Sequence, residues 1–176
     1  MEFCATSHLS PARFALLCEK TKVNTMKRKV SPIPKGYHTI TPYVLIEGVA
    51  QLIPFLQRAF GAKVIDRMNG PGGKVMHASL QIGDSRIMMG EAHGEWKPMP
   101  TMIYLYVKDA DATYKKALKA GAKSIMEPAD QFWGDRHGGV GDKWGNQWWM
   151  STHIENVSPA EMKRRGKEWM KQKQRQ

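Results

Sequence analysis

Residues 131–149, QFWGDRHGGVGDKWGNQWW, form the stretch of this chain that decides the fold. They hold four tryptophans and five glycines. We predict two strands here, residues 131–140 and 146–152, joined by a turn built on Asp and Gly residues that favour chain reversal. Alternate side chains on a strand face opposite ways, so Trp148 and Trp149 point to different sides. One side of this hairpin can therefore pack on a core while the other lines a cavity.

The sequence before this hairpin alternates between strand and helix patterns. A polar link at residues 91–100 separates two halves, and each half has the order strand, helix and three strands. The last two strands of the second half are those of the hairpin. The other predicted strands are residues 38–46, 63–68, 74–82, 86–91, 101–107 and 123–127, and the predicted helices are residues 50–60 and 109–120. A further helix begins at the capping box Ser158-Pro159-Ala160-Glu161 and runs to about Lys171.

Two prolines modify this pattern. Pro42 lacks a backbone donor, so the strand at residues 38–46 is predicted to lie at a sheet edge or an irregularity. Pro54 is tolerated near the first turn of a helix, which predicts a late start for the helix at residues 50–60.

The two halves also match in sequence. The segment GAKVI at residues 61–65 matches GAKSI at residues 121–125, and Leu45 matches Leu105 at the same offset of sixty residues. A Gly-Asp pair at residues 83–84 recurs at residues 141–142. Internal repeats of this length indicate one supersecondary unit used twice.

These patterns predict an α+β fold in which two βαβββ modules form a curved mixed sheet with outer helices and a concave inner face. The modules are expected at about residues 37–92 and 100–154, within one domain that spans residues 30–157. Residues 158–176 are expected to form a basic C-terminal helix and tail. Residues 1–29 lack sustained periodicity, which predicts a disordered extension, and residues 1–25 are expected to be dispensable.

The net charge of +11 lies mostly at the two ends of the chain. Residues 1–35 carry +5 and residues 155–176 carry +4, against +2 for the residues between them. A nucleic-acid-binding protein places a basic face on its folded part. Solubilising ends are therefore favoured, and no specific nucleic-acid partner is expected. A class of function in which the basic ends contact nucleic acid or acidic surfaces stays open.

No apolar run approaches the ~20 residues of a membrane span, which predicts a soluble protein without a membrane partner. The two cysteines, Cys4 and Cys18, both lie in the N-terminal segment. A disulfide framework is therefore disfavoured, and a cytoplasmic location is expected.

The chain resembles the vicinal oxygen chelate superfamily, which includes glyoxalase I, extradiol dioxygenases and bleomycin-resistance proteins. Within it, the chain is most similar to the PhnB-like branch. The resemblance covers roughly residues 30–165. It implies paired βαβββ modules and a homodimer whose partner completes the cleft. The residues that carry it are GYHTITPY at 36–43, MHA at 76–78, GDS at 83–85, QFWGDR at 131–136 and THIENVSP at 152–159.

Metal-dependent members of that superfamily have a His or Glu on the inner face of each of four strands. The repeat aligns those positions with Thr41, Met88, Met102 and Trp149. Thioethers and an indole do not serve a hard divalent cation. The chain departs from the metal-ligand pattern of the family at all four positions. This departure predicts no metal and no other cofactor, and it favours a cleft with aromatic and thioether walls.

Several side chains are candidates for the site. His77 shares a predicted strand face with Ser79 and Gln81, so it is either a hydrogen-bonding or basic group in the cleft or a structural histidine. Arg136 either clamps a carboxylate or phosphate at the mouth of the cleft, or Asp135 and Arg136 form fold-stabilising ion pairs with the backbone or with neighbouring groups. The ligand-binding candidates are Thr41, His77, Met88, Met102, Tyr104, Trp133, Arg136 and Trp149, and the catalytic candidates are His77, Asp135 and Arg136.

Two functions fit these residues. The leading one is metal-independent binding of a small organic ligand in the cleft. The alternative is a glyoxalase-like lyase or isomerase. It would use His77 or Asp135 as acid and base, or it would use a metal held by His77, Glu91 or His93.

Overall fold

The computed structural model of the protein describes residues 30–175. From Ile33 onwards the chain forms one compact unit. The predicted disordered extension, residues 1–29, lies outside the described residues. Both predicted modules are present, each with the order strand, helix and three strands, and a C-terminal helix follows them.

In the first module, β1 (Tyr43–Ile46) leads into α1 (Val49–Phe60), and the strands β2 (Lys63–Asn69), β3 (Val75–Ile82) and β4 (Ser85–Glu91) follow. In the second module, β5 (Met102–Tyr106) leads into α2 (Ala110–Lys119), and the strands β6 (Lys123–Asp130), β7 (Asp135–Gly141) and β8 (Gln147–His153) follow. The C-terminal helix is α3 (Pro159–Lys173).

Each module has its own four-stranded mixed sheet. The strand orders are β1-β4-β3-β2 and β5-β8-β7-β6. The first strand of each module runs parallel to the last, and the other neighbours are antiparallel. Strands β1 and β5 are therefore edge strands of their sheets.

The second and third strands of the modules repeat at sixty residues, as in the sequence, whereas the first and last strands differ from that offset by one residue. Tyr43 pairs with Met88 just as Tyr104 pairs with Trp149, and each residue lies 61 positions before its counterpart. The predicted match of Leu45 with Leu105 at sixty is therefore wrong for the strands. Leu105 packs on the core, whereas Leu45 shares the face of Tyr43, opposite the buried Val44.

Both helices start against a side chain from the last strand of their module. The Glu91 carboxylate accepts hydrogen bonds from the backbone N–H groups of Gly48 (2.9 Å) and Val49 (3.0 Å) at the start of α1. In the second module, Thr152 accepts from the N–H of Ala110 at 2.8 Å. An anionic acceptor also suits the positive end of a helix dipole. Glu91 is therefore committed to the start of α1.

The edge position predicted from Pro42 is confirmed, because β1 lies at the edge of its sheet. Two predicted bounds near the prolines were wrong. Strand β1 covers only Tyr43–Ile46 rather than residues 38–46, and its pairing begins where the Pro42 carbonyl accepts from Met88 at 2.9 Å. Helix α1 begins at Val49 with Pro54 in its interior. The buried apolar face of α1 compensates for the backbone hydrogen bond that Pro54 cannot make. That face consists of Val49, Leu52, Ile53, Phe55, Leu56 and Ala59.

One apolar core serves both modules. It is built from the helix-bearing faces of the two sheets and from α1 and α2. Phe60 at the end of α1 packs on Trp148 of β8 with ring centroids 5.1 Å apart, and Phe55 meets Trp144 edge-on at 6.2 Å. The opposite face of each sheet is therefore turned away from this core.

Helix α3 begins where predicted, with the Ser158 hydroxyl accepting from the N–H of Glu161. The ring of Trp169 lies 5.7 Å from that of Phe132, and Arg165 binds both carboxylate oxygens of Glu155 at 2.7 Å. These contacts fasten α3 to the segment between β6 and β7 and to the end of β8. None of the helices in residues 30–175 has the length and apolar character that crossing a membrane requires.

Candidate functional site

The open face of the second sheet gathers aromatic and polar side chains, and we call it the aromatic face. It is produced by strand alternation, which places Tyr104 and Tyr106 on one side of β5 while Ile103 and Leu105 pack on the core. The aromatic face consists of Met102, Tyr104, Tyr106, Asp135, His137, Trp149, Ser151 and His153, with Trp133 beside it.

A stack of three rings lies at its centre. The imidazole of His137 lies between Tyr104 and Trp149, with centroid distances of 5.1 and 5.0 Å and interplanar angles of 12° and 11°. Trp133 meets the same imidazole edge-on at 5.8 Å. A Cβ at Gly139 would lie 2.6 Å from the Trp149 ring, so this glycine allows the indole to lie close against β7. The stack is therefore fixed from below by the backbone and from the sides by aromatic contacts.

Ser151 holds this stack in position. Its hydroxyl shares hydrogen bonds with the Tyr104 hydroxyl at 2.5 Å and with His137 Nδ1 at 2.9 Å. Desolvation lowers the pKa of His137 below its ordinary value of 6.5, against a smaller opposing effect of the Asp135 charge. The imidazole is therefore neutral at pH 7, as stacking between two apolar rings favours.

A second polar group surrounds the buried carboxylate of Asp135, which is 2% exposed. The Tyr106 hydroxyl donates to it at 3.1 Å, and His153 Nδ1 lies 2.8 Å from its other oxygen. His153 Nε2 bonds Asn156 Oδ1 at 2.9 Å. Both partners of His153 are acceptors, which favours the doubly protonated ring, and the hydrogen bonds to Asn156 and then Asp135 raise the pKa of His153. The hydrogen bond to Asp135 likewise raises the pKa of Tyr106.

The two histidines of the aromatic face are expected to titrate on opposite sides of pH 6.5. His153 favours the folded protein at low pH, and this contribution disappears as the pH rises through its raised pKa. His137 acts in the opposite sense, because the unfolded chain takes up a proton below pH 6.5 before the buried imidazole does. Imidazole NMR titration measures both. The substitution Asp135→Asn should lower both pKa values, and unchanged values would contradict this assignment.

The open face of the first sheet carries a smaller cluster. His77 Nδ1 lies 3.3 Å from the Tyr43 hydroxyl, and their rings are 5.8 Å apart. Met88 lies beside Tyr43 in the pairing of β1 with β4. Thr41 turns its hydroxyl to the backbone carbonyl of His38 at 3.0 Å. The predicted residues Thr41, His77 and Met88 therefore belong to the first module, and Met102, Tyr104 and Trp149 to the second.

Arg136 lies on the other side of β7, towards α2. Its guanidinium forms a two-pronged ion pair with Asp111, and its Nη1 bonds Asp130 at 2.9 Å. The hydrogen bonds to Asp111 and Asp130 raise the pKa of Arg136. The hydrogen bond from Arg136 lowers the pKa of Asp111. Arg136 thus binds carboxylates of neighbouring elements, and the side chain of Asp135 points to the opposite face of β7. Arg136 therefore links β7 to α2 and does not lie on the aromatic face.

The sequence did not single out His137, Ser151 and His153 as site residues. Alternation from Asp135 reaches His137, and alternation from Trp149 reaches Ser151 and His153, so the signal was present. Alternation alone does not show that His137 meets Ser151, or that His153 meets Asp135, across neighbouring strands.

The alternative metal ligands do not converge. His77 and Glu91 lie on opposite faces of the first sheet, both Glu91 oxygens accept from α1, and the backbone of His93 pairs with Trp96 in a turn. Among residues 30–175, no group of three or more His, Cys, Asp or Glu side chains is placed to hold a metal ion.

Related proteins were found by sequence. The chain is 32% identical over 150 residues to an uncharacterized protein of Mycobacterium tuberculosis, covering 79% of this chain and 85% of that protein. It is 33% identical over 134 residues to an uncharacterized protein of Mycobacterium bovis, covering 70% of this chain and 88% of that protein.

Solved structures share the fold. TioX from Micromonospora sp. ML1 matches with a TM-score of 0.55 at 22% identity, covering 65% of this chain and 99% of TioX. A glyoxalase/bleomycin resistance protein/dioxygenase family enzyme from Burkholderia phytofirmans PsJN matches with a TM-score of 0.52 at 16% identity, covering 64% of this chain and 95% of that chain.

The family model for this fold matches residues 38–150, which include both modules up to the middle of β8. The repeated βαβββ order, the two mixed sheets and this match agree. The chain therefore belongs to the Glyoxalase/Bleomycin resistance protein/Dioxygenase superfamily.

Proposed function

We propose that this protein binds a small planar organic molecule on the aromatic face without the help of a metal ion. The observation that carries the proposal is the stack of Tyr104, His137 and Trp149, held by Ser151. The side chains of these parallel rings are already fixed, so a flat ligand ring can stack on them with little further loss of side-chain entropy.

The surroundings of the stack suit such a ligand. Tyr106 and Met102 are largely exposed beside it, at 70% and 61%, and they supply an aromatic ring and a polarisable thioether. The Tyr106 hydroxyl donates its proton to the buried Asp135 carboxylate, which fixes its orientation. The hydroxyl oxygen can then accept a hydrogen bond from a polar group on the ligand. Apolar walls with a few fixed polar groups are typical of small-molecule sites.

A second copy of the chain completes the site in this proposal. A single sheet face covers a ligand from one side only, and both open faces of the protomer are turned away from the shared core. The first sheet offers Tyr43, His77 and Met88 as the opposite wall. We therefore propose a homodimer in which the first module of one protomer faces the second module of the other. We also propose a cytoplasmic location.

We also place the protein in the PhnB-like branch of the superfamily. A Bacillus cereus structure titled "Putative 3-demethylubiquinone-9 3-methyltransferase, PhnB protein" has the same fold, with a TM-score of 0.51 at 17% identity. The motifs at residues 36–43 and 131–136 support this placement.

Binding can be measured with 2-naphthol as a planar probe and its fully saturated counterpart as a non-planar control. In calorimetric titrations, the planar compound should bind more tightly, and Trp149→Ala should weaken it about tenfold by removing one wall of the stack. The matched control is Trp96→Ala, since Trp96 is exposed in a loop. A chelator should leave the affinity unchanged.

Two results would contradict the proposal. The first is equal binding of the planar and saturated compounds, or no saturable binding of either together with a native mass spectrum free of co-purified small molecules. The second is affinity that disappears with the chelator and returns with Zn²⁺, Ni²⁺, Mn²⁺ or Fe²⁺.

The hydrogen-bonded group around Asp135 supports an enzymatic alternative, a glyoxalase-like lyase or isomerase that needs no metal. The carboxylate joins Tyr106 on the aromatic face to His153, which gives a path for a proton between a bound molecule and solvent. If turnover of a hemithioacetal is found, Asp135→Asn should abolish it while Trp96→Ala does not. His77→Ala tests the other candidate base, on the first sheet.

A further inference from the structure

A groove runs between the two modules and shares Tyr104 and Tyr106 with the aromatic face. It has a volume of about 740 Å³ and lies along β5, whose outer edge has no strand neighbour within residues 33–175. The turn between β3 and β4 and the residues leading into β1 form its other wall. Its apolar lining includes Ile40, Phe60, Ile82, Ile103 and Leu105.

Arg86 places a positive charge in this groove. Its guanidinium lies 4.5 Å from the centre of the Tyr37 ring, and the residue is half-buried. Within the part of the chain that the structure describes, it forms no ion pair, and its Nε is shielded from solvent without a hydrogen-bond partner. By contrast, Arg136, Arg164 and Arg165 each bind carboxylates. Among residues 30–175, the guanidinium of Arg86 therefore has the Tyr37 ring beside it but no carboxylate that neutralises its charge.

The guanidinium is held in place by the segment before β1. A Cβ added at Gly36, where φ is +85°, would lie 2.8 Å from Arg86 Nε, so the backbone packs directly on the guanidinium. The Tyr37 ring beneath it is fixed in turn, because its hydroxyl donates to the buried Ser79 at 2.8 Å. Little entropy remains to be lost when Arg86 binds a partner.

The remaining charges in the groove leave it positive. Lys108 also lines it, and the acidic residue there is Asp84, whose carboxylate accepts from the Ser85 hydroxyl at 3.0 Å in the exposed turn. A half-buried arginine without a carboxylate has lost part of its hydration and gained no charge partner. A ligand carboxylate would supply one with two-pronged geometry.

We propose that this groove is a second binding site and that its ligand is an organic monocarboxylate with an apolar body. The carboxylate would lie on Arg86, near Lys108, and the apolar part would follow the wall formed by Ile40, Ile103 and Leu105. The groove meets the aromatic face at Tyr104 and Tyr106, but Trp149, His137 and Ser151 do not line it.

Decanoate and decanol test this inference by calorimetric titration of the full chain. Decanoate should bind more tightly than decanol. Arg86→Met should weaken decanoate about tenfold or more and leave decanol unchanged, since only decanoate loses a charge-assisted contact. Arg86→Lys should retain part of the affinity. Arg67→Met is the matched control, because Arg67 lies on the outer strand β2 and binds Asn69.

Ile40→Asp provides a variant that does not disturb the fold, because Ile40 is 86% exposed. It should also weaken decanoate, through charge repulsion and a less apolar wall. Trp149→Ala should leave decanoate binding unchanged, which separates this site from the aromatic face. The inference is overturned if decanoate and decanol bind alike, or if Arg86→Met and Arg67→Met have the same effect. It is also overturned if a second copy of the chain fills the groove, in which case decanoate binding would weaken as dimer forms with rising protein concentration.

Discussion

Replacing Asp142 by alanine is expected to lower the free energy of unfolding by about 3 kcal/mol, since several buried donors lose their acceptor. The Asp142 carboxylate accepts from the backbone N–H groups of Trp144 and Asn146, both at 2.9 Å. It also accepts from the Asn146 side chain at 2.8 Å and from the Trp148 indole at 2.9 Å. Asn146 and Trp148 are fully buried, so water cannot replace the lost acceptor.

The repeat provides a matched control for this substitution. Asp84 occupies the corresponding Gly-Asp turn of the first module, is exposed, and accepts from the Ser85 hydroxyl. Asp84→Ala is therefore expected to change the free energy of unfolding by less than about 0.5 kcal/mol. Denaturant titrations followed by circular dichroism measure both, and equal losses in the two variants would refute the role assigned to Asp142.

Trp148→Ala is expected to lower the free energy of unfolding by about 4 kcal/mol, as for other large-to-small core substitutions. Trp148 is fully buried on β8, and its ring packs on Phe60 of α1 at 5.1 Å. The cavity would therefore open at the contact between the two modules. We expect unfolding to become less cooperative as a result, with a smaller dependence of the free energy on denaturant concentration.

Two other variants separate the causes. Trp148→Phe keeps a ring on Phe60 and removes the donor to Asp142, so it should cost about half as much as Trp148→Ala. Trp96→Ala removes an exposed indole and should have almost no effect. If Trp148→Ala left a single transition with unchanged stability, the two modules would not share the core described above.

Most of the elements could be predicted from the sequence, because their periodicity is a local property. The α2 helix was placed well because Asp109 caps it, accepting from the N–H of Ala112 at 2.8 Å. The start of α1 was placed too late, because Pro54 disfavours a helix on local grounds. Burial of the apolar face of α1 stabilises the helix despite this proline. Local rules predict such a segment poorly wherever packing outweighs propensity.

The candidate site was predicted in part. Tyr104, Trp133 and Trp149 do meet, around a histidine that the sequence did not mark. Arg136, next to Asp135 on β7, was predicted either to clamp a ligand anion or to form a structural ion pair, and the strand turns it to α2, where Asp111 and Asp130 bind its guanidinium. Adjacent residues on a strand cannot share a face, and the sequence alone did not reveal which of the two faced the core.

The sequence by itself determined the duplicated module, because hydrophobic periodicity, glycine turns and helix caps act over a few residues at a time. Only the tertiary structure decided that the first and last strands of the two modules lie 61 residues apart, that each module keeps its own sheet, and which side chains share a face. The physical reason is that a one-residue change of register moves every side chain of a strand to the other face. Hydrogen bonds between β5 and β8, which are distant in sequence, place Tyr104 beside Trp149, and the pairing of β7 with β8 brings His137 to Ser151.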